Sequence, residues 1–87
     1  MKYEYTNAFI KDVKKSSSEV QSQIKNLIEE IKVVDRLVDI PNVKKMKGFS
    51  NAFRIRLGEY RVGVLWEDEK LALARMLHRR EIYRYFP

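Results

Sequence analysis

The sequence predicts an α+β fold: a helical hairpin packed on a small antiparallel sheet, in the order β-α-α-β-β-β. Three observations carry this. Val20, Ile24, Leu27, Ile28, Ile31 and Val34 recur with the 3.6-residue period of an amphipathic helix. Downstream, Phe53, Ile55 and Leu57 alternate with Arg54 and Arg56, the period-2 pattern of a half-buried strand. Two short polar turns, Gly58-Glu59 and Asp68-Glu69, then separate three such runs. An apolar helix stripe needs a surface to cover it, and an antiparallel meander supplies one. At 87 residues the chain reads as a single domain, 1–87.

In chain order, Lys2–Thr6 alternates around Tyr3 and Tyr5 and reads as a first strand. Asn7 is placed to cap a helix that begins at Ala8, with Phe9 and Val13 as its apolar edge. Ser16–Ser18 breaks that helix. With Ser16 as the next cap, Glu19 completes an S-x-x-E capping box for a helix from about 17 to 35. Pro41 keeps Ile40 out of helical geometry. Val43 to Gly48, VKKMKG, is a basic edge segment closed by glycine. Ala52–Leu57 is the second strand.

Tyr60–Glu67 is the third strand. Val62, Val64 and Trp66 share one face, and Arg61, Gly63 and Leu65 the other. Leu71–His78 is apolar on both faces, as a central strand would be, with Leu71, Leu73, Arg75 and Leu77 alternating against Ala72, Ala74, Met76 and His78. Alternation leaves open which of these faces meets the helices. Arg79–Phe86 is one helical turn or an extended tail. The helices cover one face of this sheet, and Arg54, Arg56 and Arg61 collect on the other, open face.

Composition narrows the chemistry. No residue is Cys, so disulfides, thiolate metal sites and a cysteine nucleophile are excluded. His78 is the single histidine, which rules out a multi-histidine metal site, and no clustered Asp/Glu pattern suggests a Mg²⁺ site. We expect no metal and no cofactor. No run approaches a membrane span, and MKYEYTNAF lacks the apolar stretch of a signal peptide, so a cytoplasmic protein is expected. The net charge of +6 resides entirely in the second half: residues 1–43 carry seven basic and seven acidic side chains, and residues 44–87 carry eleven and five. That asymmetry points to a polyanionic partner.

Several arginines, one histidine and a tyrosine near a bare sheet face suit metal-free RNA cleavage. RNA brings its own nucleophile, the 2′-hydroxyl. Arginine forks match phosphate oxygens, histidine titrates near neutrality, and tyrosine stacks on a base or helps move a proton. Each residue also has a plainer reading. Arg61 covers the sheet or pairs with Glu59, His78 bonds to backbone, and Tyr83 anchors beside Phe86. Lys44, Lys45 and Lys47 form a solvated edge. Trp66, in register with Val62 and Val64, reads as core rather than as a stacking platform.

Three segments carry a resemblance: KKMKG at 44–48, FRIRLGEYRVGV at 53–64 and LARMLHRREIYR at 73–84. In this order and after a helical hairpin, they resemble the RelE/ParE superfamily of toxins from type II toxin–antitoxin pairs, across essentially the whole chain. The resemblance implies a RelE-like (microbial-RNase-like) fold. For the RelE branch it implies a metal-independent, ribosome-dependent mRNA endoribonuclease (an mRNA interferase) that blocks translation. By the same resemblance Arg61, His78, Arg79 and Tyr83 are the catalytic candidates, and Lys44, Lys45, Lys47, Arg54 and Arg56 the RNA-binding ones. The implied partners are the ribosome, mRNA and a cognate antitoxin whose contacting segment should be acidic.

Two departures stand out. Arg54 and Arg56 occupy a strand where some members carry lysines, and arginine is a poor base. Leu77 stands where relatives often have glycine before the histidine. The alternatives are a ParE-like toxin that inhibits DNA gyrase, and a non-catalytic RNA-binding or interaction module.

Overall fold

A computed structural model describes all residues, Met1–Pro87. Strand β1 (Tyr3–Tyr5) leads into helices α1 (Asn7–Lys14) and α2 (Ser18–Val33). A 3₁₀ turn at Leu37–Asp39 precedes strands β2 (Val43–Lys45), β3 (Ala52–Leu57), β4 (Tyr60–Glu67) and β5 (Lys70–His78), and a short helix α3 (Ile82–Tyr85) closes the chain. The five strands form one sheet in the order β1-β5-β4-β3-β2.

The expected meander is present as antiparallel β2–β3–β4–β5, but the sheet is mixed, because β1 pairs parallel to β5 with Tyr3 opposite Leu71 and Tyr5 opposite Leu73. The helical hairpin is the crossover that returns the chain in the same direction, as a parallel pair requires. Thr6 makes the transition. Its N–H donates to the Leu73 carbonyl at 3.1 Å, and its hydroxyl donates to the Ala74 carbonyl at 2.8 Å. The same hydroxyl oxygen accepts the Phe9 N–H and caps α1. The cap is therefore Thr6 rather than Asn7. Ser17 rather than Ser16 caps α2, because the Ser16 hydroxyl donates instead to the Val13 carbonyl at 2.6 Å and closes α1.

Two cores lie on opposite faces of the sheet. The larger has 12 buried residues, among them Phe9, Ile24, Leu27 and Ile31 from the helices and Ile55, Val62, Val64, Leu71, Leu73 and Met76 from the sheet, with Trp66 packed at its margin. The smaller comprises Met46, Ala52, Ile82 and Phe86, with Leu65, Ala74 and Leu77 beside it. The sheet face expected to be open is thus partly roofed by α3. Phe86 lies flat on Gly63: a Cβ built there would stand 2.6 Å from the Phe86 ring.

A bulge opposite Gly63 and Val64 breaks the strict alternation expected of β5. Val64 faces Leu73 and Gly63 faces Arg75, so Ala74 has no opposite residue. Leu71, Leu73 and Met76 consequently all join the helix-side core, whereas Ala74 and Leu77 turn to the α3 side. The bulge sits where β1 ends. There Asp12 of α1 takes over the strand edge, accepting the Met76 N–H at 3.0 Å and both Arg75 donors at 2.8 and 3.1 Å.

Candidate functional site

The β3–β4 hairpin builds the cationic face. Gly58, at φ +62°, opens a two-residue turn in the geometry where glycine leads, so Arg56 and Arg61 fall directly opposite each other. Arg54 lies opposite Gly63 and Lys44 opposite Arg54, which puts these side chains on one face. With Asn42 and Val43 they line an open cleft of about 300 Å³. Arg61 donates through Nη1 to the carbonyls of Gly58 and Tyr60, both at 2.9 Å. Its guanidinium is pulled below its ordinary pKa, first by burial and then by Arg54, Arg56 and Arg79. Arginine remains charged at neutral pH all the same, and an anion bound here would relieve the part of this shift that comes from its arginine neighbours.

Helix α3 brings the tyrosine. Ile82 and Phe86 are buried in the smaller core, which turns Tyr83 outward at 64% exposure, not inward as an anchor. Its hydroxyl oxygen accepts Arg54 Nε–H at 2.5 Å, and the guanidinium carbon lies 5.9 Å from its ring centre. Arg79, at the exit of β5, directs Nε at the Glu59 carboxylate (2.8 Å), so the expected Arg61–Glu59 pair is replaced by Arg79–Glu59.

The structure does not bring every predicted residue to this face. His78 lies opposite Tyr60 at the end of β5, with the two rings edge to face at 5.8 Å. Tyr60 packs against the helix-side core, so the imidazole stands on that side of the edge. It borders a second cleft of about 210 Å³ with Asp12, Lys15, Ser16 and Glu81. Its Nδ1 accepts the Arg80 N–H at 3.2 Å, and its Nε2 is 3.9 Å from Glu59. Lys45 lies opposite Phe53, on the helix side, away from Lys44. Lys47 is exposed in the loop beyond β2, next to buried Met46. Two participants went unassigned in the sequence: Glu59 as the partner of Arg79, and Asn42, whose Oδ1 accepts Arg56 Nη2–H at 3.4 Å. The acid in the G-E-Y-R turn was visible but pointed to no partner. The positive φ of Asn42 was not readable at all.

Helices packed on a five-stranded mixed sheet match the structures of RelE-type toxins. The fold is similar to the toxin of the RelB–RelE antitoxin–toxin complex from Methanococcus jannaschii, with a TM-score of 0.79 and 37% identity over 95% of this chain and 98% of that one. It is also similar in fold to the archaeal RelE–RelB complex from Pyrococcus horikoshii, at a TM-score of 0.71 and 17% identity over 90% and 93% of the two chains. No family model matches the chain. Over the full length of both sequences it is 39% identical to toxin RelE3 of Methanocaldococcus jannaschii. The chain belongs to the RelE toxin family, the toxins of type II toxin–antitoxin systems. No helix is long and apolar enough to cross a membrane.

Proposed function

We propose that the protein is an mRNA endoribonuclease that acts on the ribosome, without a protein-bound metal, and that an antitoxin holds it in check. The observation that carries this reading is the gathering of Arg54, Arg56, Arg61 and Tyr83 on one sheet face, with Arg79 close enough to depress the Arg61 pKa. In the proposed reaction the RNA 2′-oxygen attacks the adjacent phosphorus. The 5′-oxygen leaves, giving a 2′,3′-cyclic phosphate and a 5′-hydroxyl. Arg61 sits at the centre of the arginines and takes the charge that builds on the phosphate oxygens; Arg54, Arg56 and Arg79 add to it. Lys44 on this face and Lys47 in the loop beyond β2 guide the flanking RNA backbone, and Lys45, on the helix side, takes no part.

Proton transfer falls first to Tyr83. Its oxygen is occupied as an acceptor by Arg54, which leaves the hydroxyl proton free to donate to the leaving oxygen. His78, at the end of β5, is proposed as the second proton-handling group, the one that takes the proton released by the attacking 2′-hydroxyl. The antitoxin proposal rests on the solved RelB–RelE complexes and on the +6 charge, which favours an acidic contacting segment.

Primer extension on mRNA in a translating extract tests the reading. Wild type should give new cuts, Arg61→Ala none in the time that shows the wild-type ones (a loss of about 10²–10³-fold), and Tyr83→Phe a rate reduced by about 10²-fold. If His78→Ala cuts at the wild-type rate, the proton roles rest on Tyr83 alone. If wild type makes no cut that Arg61→Ala lacks, the ribonuclease reading fails.

A further inference from the structure

The two-residue turn between β3 and β4 does more than reverse the chain. Gly58, Glu59 and the first residue of β4, Tyr60, hold two of the basic groups at this end of the sheet, Arg61 and Arg79. The carbonyls of Gly58 and Tyr60 accept Arg61 Nη1–H, both at 2.9 Å. The carbonyl of Glu59 accepts the Arg79 N–H at 2.8 Å, and its carboxylate accepts Arg79 Nε–H at 2.8 Å. The same carboxylate oxygen is 3.9 Å from His78 Nε2. Because His78 Nδ1 accepts the Arg80 N–H, the ring proton is on Nε2, directed toward Glu59. Arg61 lies in β4 and Arg79 just beyond the end of β5, and one hairpin turn holds both.

We infer that Glu59 is a positioning residue for the proposed RNA cleavage: its carboxylate and carbonyl fix Arg79 beside Arg61 so that both guanidiniums meet one phosphate. The inference rests on the ribonuclease reading. Glu59 is 69% exposed in its side chain and makes no core contact, so stability does not account for this arrangement. Nor does RNA affinity, because a carboxylate among arginines repels phosphate. An acid that opposes binding yet orients an arginine through two contacts has a distinctive signature. Its removal should tighten RNA and slow the chemistry.

The experiment compares wild type, Glu59→Ala and Glu59→Gln. Three quantities are read: the single-turnover cleavage rate in a translating extract, the affinity for a single-stranded RNA by filter binding, and the Arg79 Nε–H resonance by NMR. Glu59→Ala should cut about 10-fold more slowly while binding RNA about 2-fold more tightly. Its melting temperature should stay within about 3 °C of wild type. Glu59→Gln keeps an acceptor for Arg79 and should recover most of the lost rate while retaining the tighter binding. A wild-type rate in Glu59→Ala, or a parallel loss of rate and affinity, overturns the inference. If wild type itself cuts nothing, the ribonuclease reading fails separately and the resonance decides: a shift of Arg79 Nε–H in Glu59→Ala supports the positioning contact, and an unmoved signal rejects it.

Discussion

Gly63 carries the most exacting demand in the sheet, and Gly63→Ala should expose it. A Cβ there would stand 2.6 Å from two carbons of the Phe86 ring and 2.8 Å from a third. Ordinary carbon contacts lie near 3.5–4.0 Å, so the ring must retreat by about 1 Å. It has little room to do so, since Phe86 is 4% exposed and Ile82 beside it is fully buried. Overpacking of this kind costs about 1–3 kcal/mol, and relief of glycine's excess chain entropy returns about 0.5–1 kcal/mol. A net loss of about 1 kcal/mol at the middle of these ranges remains, and about 2.5 kcal/mol at most; the middle value is a fall of about 4–8 °C in melting temperature for a domain of this size. The diagnostic arm is the Phe86→Ala background. With the ring gone, Gly63→Ala should cost nothing or stabilise by about 0.5 kcal/mol. The two sites should thus couple by the overpacking cost itself, about 1–3 kcal/mol, in denaturant unfolding. Equal destabilisation of Gly63→Ala in both backgrounds refutes the reasoning, because the contact with Phe86 would then not be its cause.

Three further outcomes are expected. Arg61→Ala should lower the salt slope of single-stranded RNA binding by about 0.7, one phosphate contact's worth, measured across a salt titration, and should cost about 10²–10³-fold in cleavage. Asp12→Ala strips the β5 edge of the acceptor for Met76 N–H and Arg75, and should cost about 2–3 kcal/mol by urea denaturation, because a largely buried donor is left unpaired. Glu69 holds φ +57° in the Asp68-Glu69 turn, so Glu69→Gly should stabilise by about 0.5–1 kcal/mol, a rise of several degrees in a thermal melt.

Patterns local to one element were legible in the sequence. The α2 stripe is visible because a helix buries every third or fourth residue against a single surface, and Val20, Ile24, Leu27 and Ile31 are the residues it buries. The assignment of Val62 and Val64 to one face of β4 and of Arg61 and Leu65 to the other follows equally from the pleat. The family resemblance covered what patterns could not, through the order of its three segments. What escaped depends on two strands at once. The β5 bulge is a property of the β4–β5 register, and no period in Leu71–His78 shows it. With the bulge unseen, the side of the sheet on which His78 stands was undetermined. The parallel pairing of β1 escaped for the same reason, since three residues carry too little pattern to choose a partner. Tyr83 and Phe86 could be assigned to surface and core respectively only once Gly63 was seen to be the floor beneath the Phe86 ring.

The separation of the two cores divides the candidate site into a stiff half and a soft half. Arg54, Arg56 and Arg61 are carried by β3 and β4, whose ladder is backed by the larger core through Ile55, Val62 and Val64. Moving them requires opening the sheet. Tyr83 is carried by a four-residue helix whose only buried anchors are Ile82 and Phe86, with Met46 and Ala52 beneath. A helix that short contributes almost nothing by itself, so α3 stays docked only by what those two side chains bury, and it belongs to the low end of the local-opening scale. Substitutions in the larger core should therefore change how much protein is folded while leaving the rate per folded molecule intact. Substitutions at Ile82, Phe86 or Gly63 should change that rate in protein that is still folded, because they free Tyr83 from Arg54 while the arginines stay in place. The phosphate-binding half of the proposed chemistry is preorganised by the sheet, and the proton-donating half is only as well placed as the smaller core allows.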